Sequence, residues 1–352
     1  MWPQKYFNIF ADISTFCNAG CPQCHRTNRN GLGKADWLPL IQWSLDEFKQ
    51  AYPKSTLDLT ENIQLCGTWG DPIMNKDILD ICKYVIDTSS LPSIRINTNG
   101  SIRDEDFWWE LGVSCGKRLN VIFGIDGKDY YQHQLYRKFT DLNKILNNMK
   151  TISMTRAKAI SQTIVFEHNQ DDIHEIKQMC LDHGSYLHTF IWTDRFDRGN
   201  NNEFEYYNPD GSNYTLKKAT KNEKQVFNNS LKIGYPGNQK EPEQGCIECK
   251  WLKKREVVVN PDGQVIPCCY LANGYFMKGP PDFNNHELML SYKDQEKDNN
   301  VFFRPLEEIL KDSKWFNEEL PESWKSDKPL KQCSRWCSLE GDKFKSQIRV
   351  YA

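Results

Sequence analysis

Residues 6–24 read Tyr6-Phe7-Asn8-Ile9-Phe10-Ala11-Asp12-Ile13-Ser14-Thr15-Phe16-Cys17-Asn18-Ala19-Gly20-Cys21-Pro22-Gln23-Cys24. The run over 6–13 is a short, mostly apolar stretch broken by Asn8 and Asp12, and reads as a strand. Three cysteines follow at once, spaced Cys-x-x-x-Cys-x-x-Cys. Three thiolates on one short loop can converge on a soft metal site, and three is one fewer than a closed tetrahedral zinc site or a fully ligated [4Fe–4S] cluster requires. The loop therefore implies an open coordination position. Zinc held by the three sulfurs and His25 is the competing reading.

Outward from this loop, the chain to about residue 195 alternates short apolar runs with amphipathic stretches. Strands are expected near 6–13, 62–66, 93–98, 119–125, 162–166 and 187–192. Helical spacing of apolar residues covers 44–51, 77–87, 104–111, 142–153 and 172–183. Ser44 and Glu47 make a capping box for the first of these helices. Repeated βα units of this kind predict an α/β fold, a partial (β/α)6 TIM barrel, with its chemistry at the carboxyl ends of the strands.

The remaining 157 residues of the 352-residue chain change in character. Residues 196–245 are rich in Asn, Lys, Glu and Gly and read as a polar insertion or linker. Within them Asn208-Pro209-Asp210-Gly211 separates two aromatic runs as a hairpin turn would. The same four residues recur at Asn260–Gly263 between valine-rich runs. A last helix is expected over 305–317, where Leu306, Ile309, Leu310 and Trp315 share a face.

Composition narrows the function. Lys and Arg total 45 against 47 Asp and Glu, a formal charge of −2, which argues against a dedicated nucleic-acid binder. The start lacks the basic end and long apolar run of a signal peptide, and no stretch is apolar enough to span a membrane, as expected of a cytoplasmic protein. Thirteen cysteines are too few for a disulfide scaffold, and nine fall in tight groups at 17/21/24, 246/249, 268/269 and 333/337. Grouped cysteines in such a chain read as metal ligands. Cys66, Cys82, Cys115 and Cys180 stand apart in apolar surroundings, where inert buried thiols are the expectation.

The loop Cys17-Asn18-Ala19-Gly20-Cys21-Pro22-Gln23-Cys24 resembles that of the radical S-adenosylmethionine (SAM) enzymes. The resemblance implies that Cys17, Cys21 and Cys24 hold a [4Fe–4S] cluster whose fourth iron binds SAM. Reductive cleavage of SAM then yields a 5′-deoxyadenosyl radical, which takes a hydrogen atom from the substrate. Further motifs follow in family order. Gly67-Thr68-Trp69-Gly70-Asp71-Pro72 is similar to the segment that binds the SAM amine, with Asp71 where the family usually has Glu. Asn97-Thr98-Asn99-Gly100 and Ile125-Asp126-Gly127 are similar to the segments facing the ribose and methionine, so Asn97, Thr98, Asn99 and Asp126 are cofactor-binding candidates. His133 and Arg137 match a later pair in which the arginine meets the SAM carboxylate, a task suited to a permanently charged planar fork. The residue before the third cysteine is usually aromatic and lies near the adenine. Here it is Gln23, and His25 is the alternative ring.

Cys249-x13-Gly-x4-Cys268, with Cys333-x-x-x-Cys337 further on, resembles the auxiliary-cluster extension called SPASM in its two-cluster form and twitch in its one-cluster form. It implies one auxiliary [4Fe–4S] cluster on Cys249, Cys268, Cys333 and Cys337, with Cys246 and Cys269 as possible substitutes. A structural four-cysteine zinc site is the alternative. The expected organisation is a radical SAM barrel over 1–195, the polar insertion over 196–245 and a hairpin-plus-helix cluster domain over 246–352. A fully ligated second cluster suits electron transfer. The expected reaction is therefore oxidation of a small molecule or of a peptide side chain, with the auxiliary cluster as acceptor and a flavodoxin- or ferredoxin-type reductant. Peptide crosslinking, epimerisation or formylglycine-type oxidation ranks second, and a non-catalytic metal or electron carrier third.

Overall fold

A computed structural model of the chain describes residues 6–193, 195–196, 202–222, 247–337 and 347–351. Strands β1 (Phe7–Ala11), β2 (Thr60–Leu65), β3 (Ser93–Thr98), β4 (Leu119–Gly124), β5 (Lys158–Val165) and β6 (Leu187–Thr193) lie side by side in chain order, each neighbouring pair parallel. Parallel pairing demands a long crossover between strands. Helices Leu45–Ala51, Ile78–Thr88, Glu105–Cys115, Leu142–Ser153 and Ile173–Asp182 supply the five crossovers. The capping box forms: Ser44 Oγ accepts from Glu47 N at 3.2 Å, and Glu47 Oε2 accepts from Ser44 N at 2.7 Å. In Leu142–Ser153 the residues Ile145, Met149 and Ile152 lie one helical turn apart and are fully buried against the sheet.

The two Asn-Pro-Asp-Gly segments both make hairpins. The first joins β7 (Glu203–Tyr207) to β8 (Asn213–Lys217), and the second joins β9 (Glu256–Val259) to β10 (Val265–Ile266). Gly211 and Gly263 take φ values of +83° and +82°, a left-handed conformation that favours glycine. Each donates its N–H to the carbonyl of the turn's own Asn, 3.0 Å in the first turn and 2.9 Å in the second. Shared turn chemistry explains the recurrence.

The hairpins go to different places. β7 and β8 form their own two-stranded sheet, whereas β9 pairs in parallel with β1, from Asn8↔Glu256 to Ala11↔Val259. Strand β11 (Gln347–Tyr351) closes the far edge, antiparallel to β6. One nine-stranded sheet results, in the order β10-β9-β1-β2-β3-β4-β5-β6-β11. The core is equally continuous, running from Ile9 and Trp43 through Val257 to Ile309 and Leu330. Trp43 Nε1 donates to Pro261 O at 2.7 Å. The β9–β10 hairpin is therefore an extension of the barrel's sheet and core.

The helix expected over 305–317 is shorter, Leu306–Asp312. Ser313 turns extended (ψ 119°) and donates from Oγ to Asn299 Oδ1 at 2.5 Å, and a wider turn, Trp315–Glu319, follows. Leu306, Ile309, Leu310 and Trp315 are nonetheless all buried.

Candidate active site

The strand ends and the cysteine loop enclose a cavity of about 310 Å³. Cys17, Cys21 and Cys24 stand on its wall, together with Gly67, Gly70, Asp71, Asn97, Thr98, Asn99 and Arg137. The cavity thus unites the loop after β1 with segments after β2, β3 and β4.

Asp71 joins these segments. Its Oδ2 accepts from Thr98 Oγ1 (2.9 Å), Asn99 N (2.8 Å) and Asn99 Nδ2 (2.6 Å), while Oδ1 accepts from Ile73 N (3.0 Å). Burial pushes the carboxyl upward and these donors oppose the shift. Asn99 Nδ2 also reaches Asn18 Oδ1 (2.9 Å) and Cys17 Sγ (3.8 Å). At Gly70 a Cβ would strike the Ser14 carbonyl and lie 2.7 Å from Phe16 O, so only glycine lets this segment lie against the cysteine loop. Above it, buried Asp12 accepts from Thr68 N at 2.7 Å, its carboxyl raised to about 6 by burial.

Asp126 does not reach the cavity wall. Its fully buried carboxylate accepts from Arg137 Nε at 2.5 Å on Oδ2 and from Ile164 N at 2.6 Å on Oδ1, so both oxygens are committed and one of them holds Arg137 from behind. His133 Nδ1 accepts from Asp126 N at 3.2 Å. Its Nε2 lies 3.1 Å from Thr140 Oγ1, whose own proton goes to Arg137 O at 2.6 Å, which makes the ring neutral with Nε2 as donor. Burial agrees, taking the imidazole down to about 3. Gly124 at the end of β4 leaves the space the guanidinium needs: a Cβ there would lie 2.5 Å from Arg137 Nη2.

The adenine candidates are placed elsewhere. Tight turns, Cys24 N to Cys21 O and Thr27 N to Cys24 O, both 3.0 Å, carry Cys21 and Cys24 to the wall and leave Gln23 and His25 off it. Gln23 is buried with neither side-chain amide atom hydrogen-bonded, and His25 is exposed beside Trp69. The wall instead includes residues that spacing could not reveal: Arg26, Tyr136, Arg195 and an apolar strip of Ile122, Ile164 and Ile191. Cys66 also lines it, unlike Cys82, Cys115 and Cys180, which are buried in the core clusters. It is the first residue after β2, at the carboxyl end of the sheet where the cavity lies.

Cys249, Cys268, Cys333 and Cys337 line a second, narrow cavity of about 10 Å³ with Trp324 and Trp336. The hairpin and the helix Lys331–Cys337 bring them together across the chain. Hydrogen bonding to Cys337 and burial raise the Cys249 thiol, and burial beside Cys337 pushes Cys333 to about 12. Cys269 is close by, also raised to about 12 by burial, and Cys246 lies outside the described residues. Among the described residues no three His, Cys, Asp or Glu side chains are drawn to single-ion distances. No described helix is long and apolar enough to cross a membrane.

No family model matches the chain. In sequence it is 24% identical over 188 residues to the GTP 3′,8-cyclase of Shewanella denitrificans, covering 51% of this chain and 52% of that enzyme. The GTP 3′,8-cyclase of Actinobacillus pleuropneumoniae serotype 3 is 28% identical over 153 residues, 42% of this chain and 40% of its own. The chain spans about half the length of the curated relatives it matches. Its fold resembles that of Streptococcus suis SuiB bound to S-adenosylmethionine, with TM-score 0.56 and 12% identity over 89% of this chain and 67% of SuiB. In fold, and over about half its length in sequence, the chain resembles radical SAM enzymes.

That resemblance implies SAM and a [4Fe–4S] cluster, and the cavity wall fits both. Cys21 raises the cost of ionising Cys17, and Cys24 that of ionising Cys21, so the three thiols are near neighbours. Burial pushes Cys17 and Cys21 upward when metal-free, so cluster assembly displaces protons. N–H donors already address the sulfurs: Ala19 N at 3.4 Å and Asn99 Nδ2 at 3.8 Å from Cys17, and Arg137 Nη1 at 3.9 Å from Cys21. Two buried polar atoms on the wall, Asn97 Oδ1 and Arg26 Nε, have no partner within the chain, as a polar ligand's site should offer.

Proposed function

We propose that the protein reductively cleaves SAM at a [4Fe–4S] cluster on Cys17, Cys21 and Cys24, and oxidises a substrate by two electrons. The observation that carries this reading is the single cavity in which those cysteines face Gly67–Asp71 and Asn97–Asn99, tied together by Asp71. When bound, SAM and its cluster supply a 5′-deoxyadenosyl radical that removes hydrogen from the substrate.

The chain's residues place and shield the reactants. Because Asp71 is saturated by its own four donors, the backbone oxygens of the Gly67–Gly70 segment are left to receive the SAM amine. Asp126 fixes Arg137 by its Nε, which leaves the outer guanidinium nitrogens for the SAM carboxylate. Asn97 Oδ1 is an acceptor available to ribose hydroxyls. Ile122, Ile164, Ile191 and Tyr136 give the cavity a dry side, which protects a reactive radical from water.

Cys249, Cys268, Cys333 and Cys337 are the proposed ligands of an auxiliary [4Fe–4S] cluster that accepts the substrate's second electron. Their cavity is narrow, so loading requires the hairpin end and the helix Lys331–Cys337 to part. A peptide substrate is the second reading, favoured by the fold's likeness to Streptococcus suis SuiB bound to the precursor peptide SuiA (TM-score 0.54).

Anaerobic reconstitution followed by incubation with SAM and a strong reductant tests the proposal. Two clusters mean roughly eight irons per chain and release of 5′-deoxyadenosine. Cys17→Ala loses that release, whereas Cys333→Ala keeps it with roughly half the iron. Zinc in place of iron, with no SAM cleavage, would refute the enzyme reading. A full iron complement in Cys333→Ala would refute the auxiliary site.

A further inference from the structure

Three arginines and three cysteines meet on the wall of the active-site cavity, and the functional reading uses only Arg137. Arg26 is buried at 7% exposure, its Nη1 donating to Ala19 O at 3.2 Å and its Nε–H lacking an acceptor. Arg195, just beyond β6, is exposed at the cavity, its Nη1 donating to Gln23 O at 3.2 Å. Both acceptor carbonyls belong to the cysteine loop. Among the described residues neither arginine has a carboxylate partner, whereas Arg137 has Asp126.

The guanidiniums share the cavity wall with the thiols. Arg137 Nη1 reaches Cys21 Sγ at 3.9 Å. Arg26 favours the thiolate of Cys17, and Arg195 gains from Cys24 and Cys21. Held beside neutral thiols, two unpaired guanidiniums in a partly desolvated wall are costly to keep. Beside three thiolates and a cluster they are not, since each cation then faces an anion.

We infer that Arg26, Arg137 and Arg195 form a cationic collar around the SAM-binding cluster and raise its reduction potential. The inference rests on the functional reading above. Reduction adds one negative charge to the cluster, and a nearby cation or N–H donor lowers the cost of that charge. The collar therefore eases the electron transfer that must precede SAM cleavage. Arg26 and Arg195 act as positioning and tuning residues, through the cluster.

The test is the midpoint potential of the reconstituted protein, measured by electron paramagnetic resonance under controlled potential without SAM, with iron determined on each sample. Arg195→Gln is expected to keep its iron and to shift the potential of the Cys17/Cys21/Cys24 cluster in the negative direction. Arg195→Lys restores most of the shift, because charge rather than a planar fork is required. Arg26→Gln shifts it likewise. If packing loss at this buried site prevents folding, Arg195→Gln, whose side chain is exposed, carries the test. Lys83→Gln, a surface change on the helix Ile78–Thr88, leaves the potential in place. An unchanged potential in Arg195→Gln at full iron content overturns the collar and leaves the functional reading standing. A wild-type protein that takes up no four-iron cluster overturns both.

Discussion

Gly70 shows how little latitude the site has at single residues. Its missing side chain lets the Gly67–Asp71 segment lie on the cysteine loop, where an added Cβ would overlap the Ser14 carbonyl and approach Phe16 O at 2.7 Å. Backbone cannot yield as a flexible side chain can. Gly70→Ala is therefore expected to weaken SAM binding at least tenfold, measured by equilibrium dialysis of the reconstituted protein. Asp71 has a different weight. Removing its carboxylate strands Thr98 Oγ1 and the Asn99 donors in a buried place, so Asp71→Ala should cost about 2–4 kcal/mol in urea unfolding. The sequence showed an Asp where related enzymes usually have Glu. It did not show that the shorter acid is used up inside the protein.

Among the elements, the β7–β8 hairpin has the least expected role. In sequence it belongs to a polar insertion, yet Tyr207 exchanges backbone hydrogen bonds with the cysteine-loop extension, Gly31 N to Tyr207 O and Tyr207 N to Arg29 O, both 2.9 Å. Tyr206 is fully buried, donates to Leu135 O at 2.9 Å, and shares a small apolar cluster with Ala19, Cys21 and Tyr136. The hairpin thus covers the back of the loop proposed to hold the cluster. Tyr206→Ala should cost about 3 kcal/mol and speed the loss of the cluster's visible absorbance in air. Regular elements were legible in advance because their signals are local. Strand 93–98 and helix 142–153 match their observed bounds, Ser93–Thr98 and Leu142–Ser153. The helix over 305–317 did not, since a hydrogen bond from Ser313 to the distant Asn299 interrupts it.

Across the whole molecule, acid sensitivity follows from buried histidines. His133 and His188 are held to about 3 and His168 to about 4 by burial, against an ordinary value of 6.5. Below pH 6.5 the unfolded chain takes up protons that the folded chain refuses, so stability present above that pH is lost as pH falls toward 4. Asp12 and Asp262, raised to about 6 by burial, act oppositely: the fold takes up their protons first, which relieves a cost as pH drops from 6 toward 3.8. Asp71 and Asp126, also raised by burial, act in the same direction as Asp12 and Asp262, whereas each histidine loses the fold about 2 kcal/mol between pH 7 and 5. His188→Gln, which has no proton to refuse, is expected to lose less stability than the parent over that range, read as a smaller fall in the urea midpoint.

The sequence by itself determined the donor set and the local frame: three cysteines on one loop after a strand, two pairs near the C-terminus, the order of the βα units and the two Asn-Pro-Asp-Gly turns. Each depends on covalent spacing or on the period of neighbouring side chains, which are short-range properties. Only the tertiary structure decided that β9 extends the barrel at β1, that Asp126 stands behind Arg137 rather than on the wall, that Cys66 faces the cavity, and that Arg26 and Arg195 flank the thiols. Those placements depend on which distant groups share desolvated space, and the energy of a buried charge or a strand edge is fixed by neighbours far away in the chain.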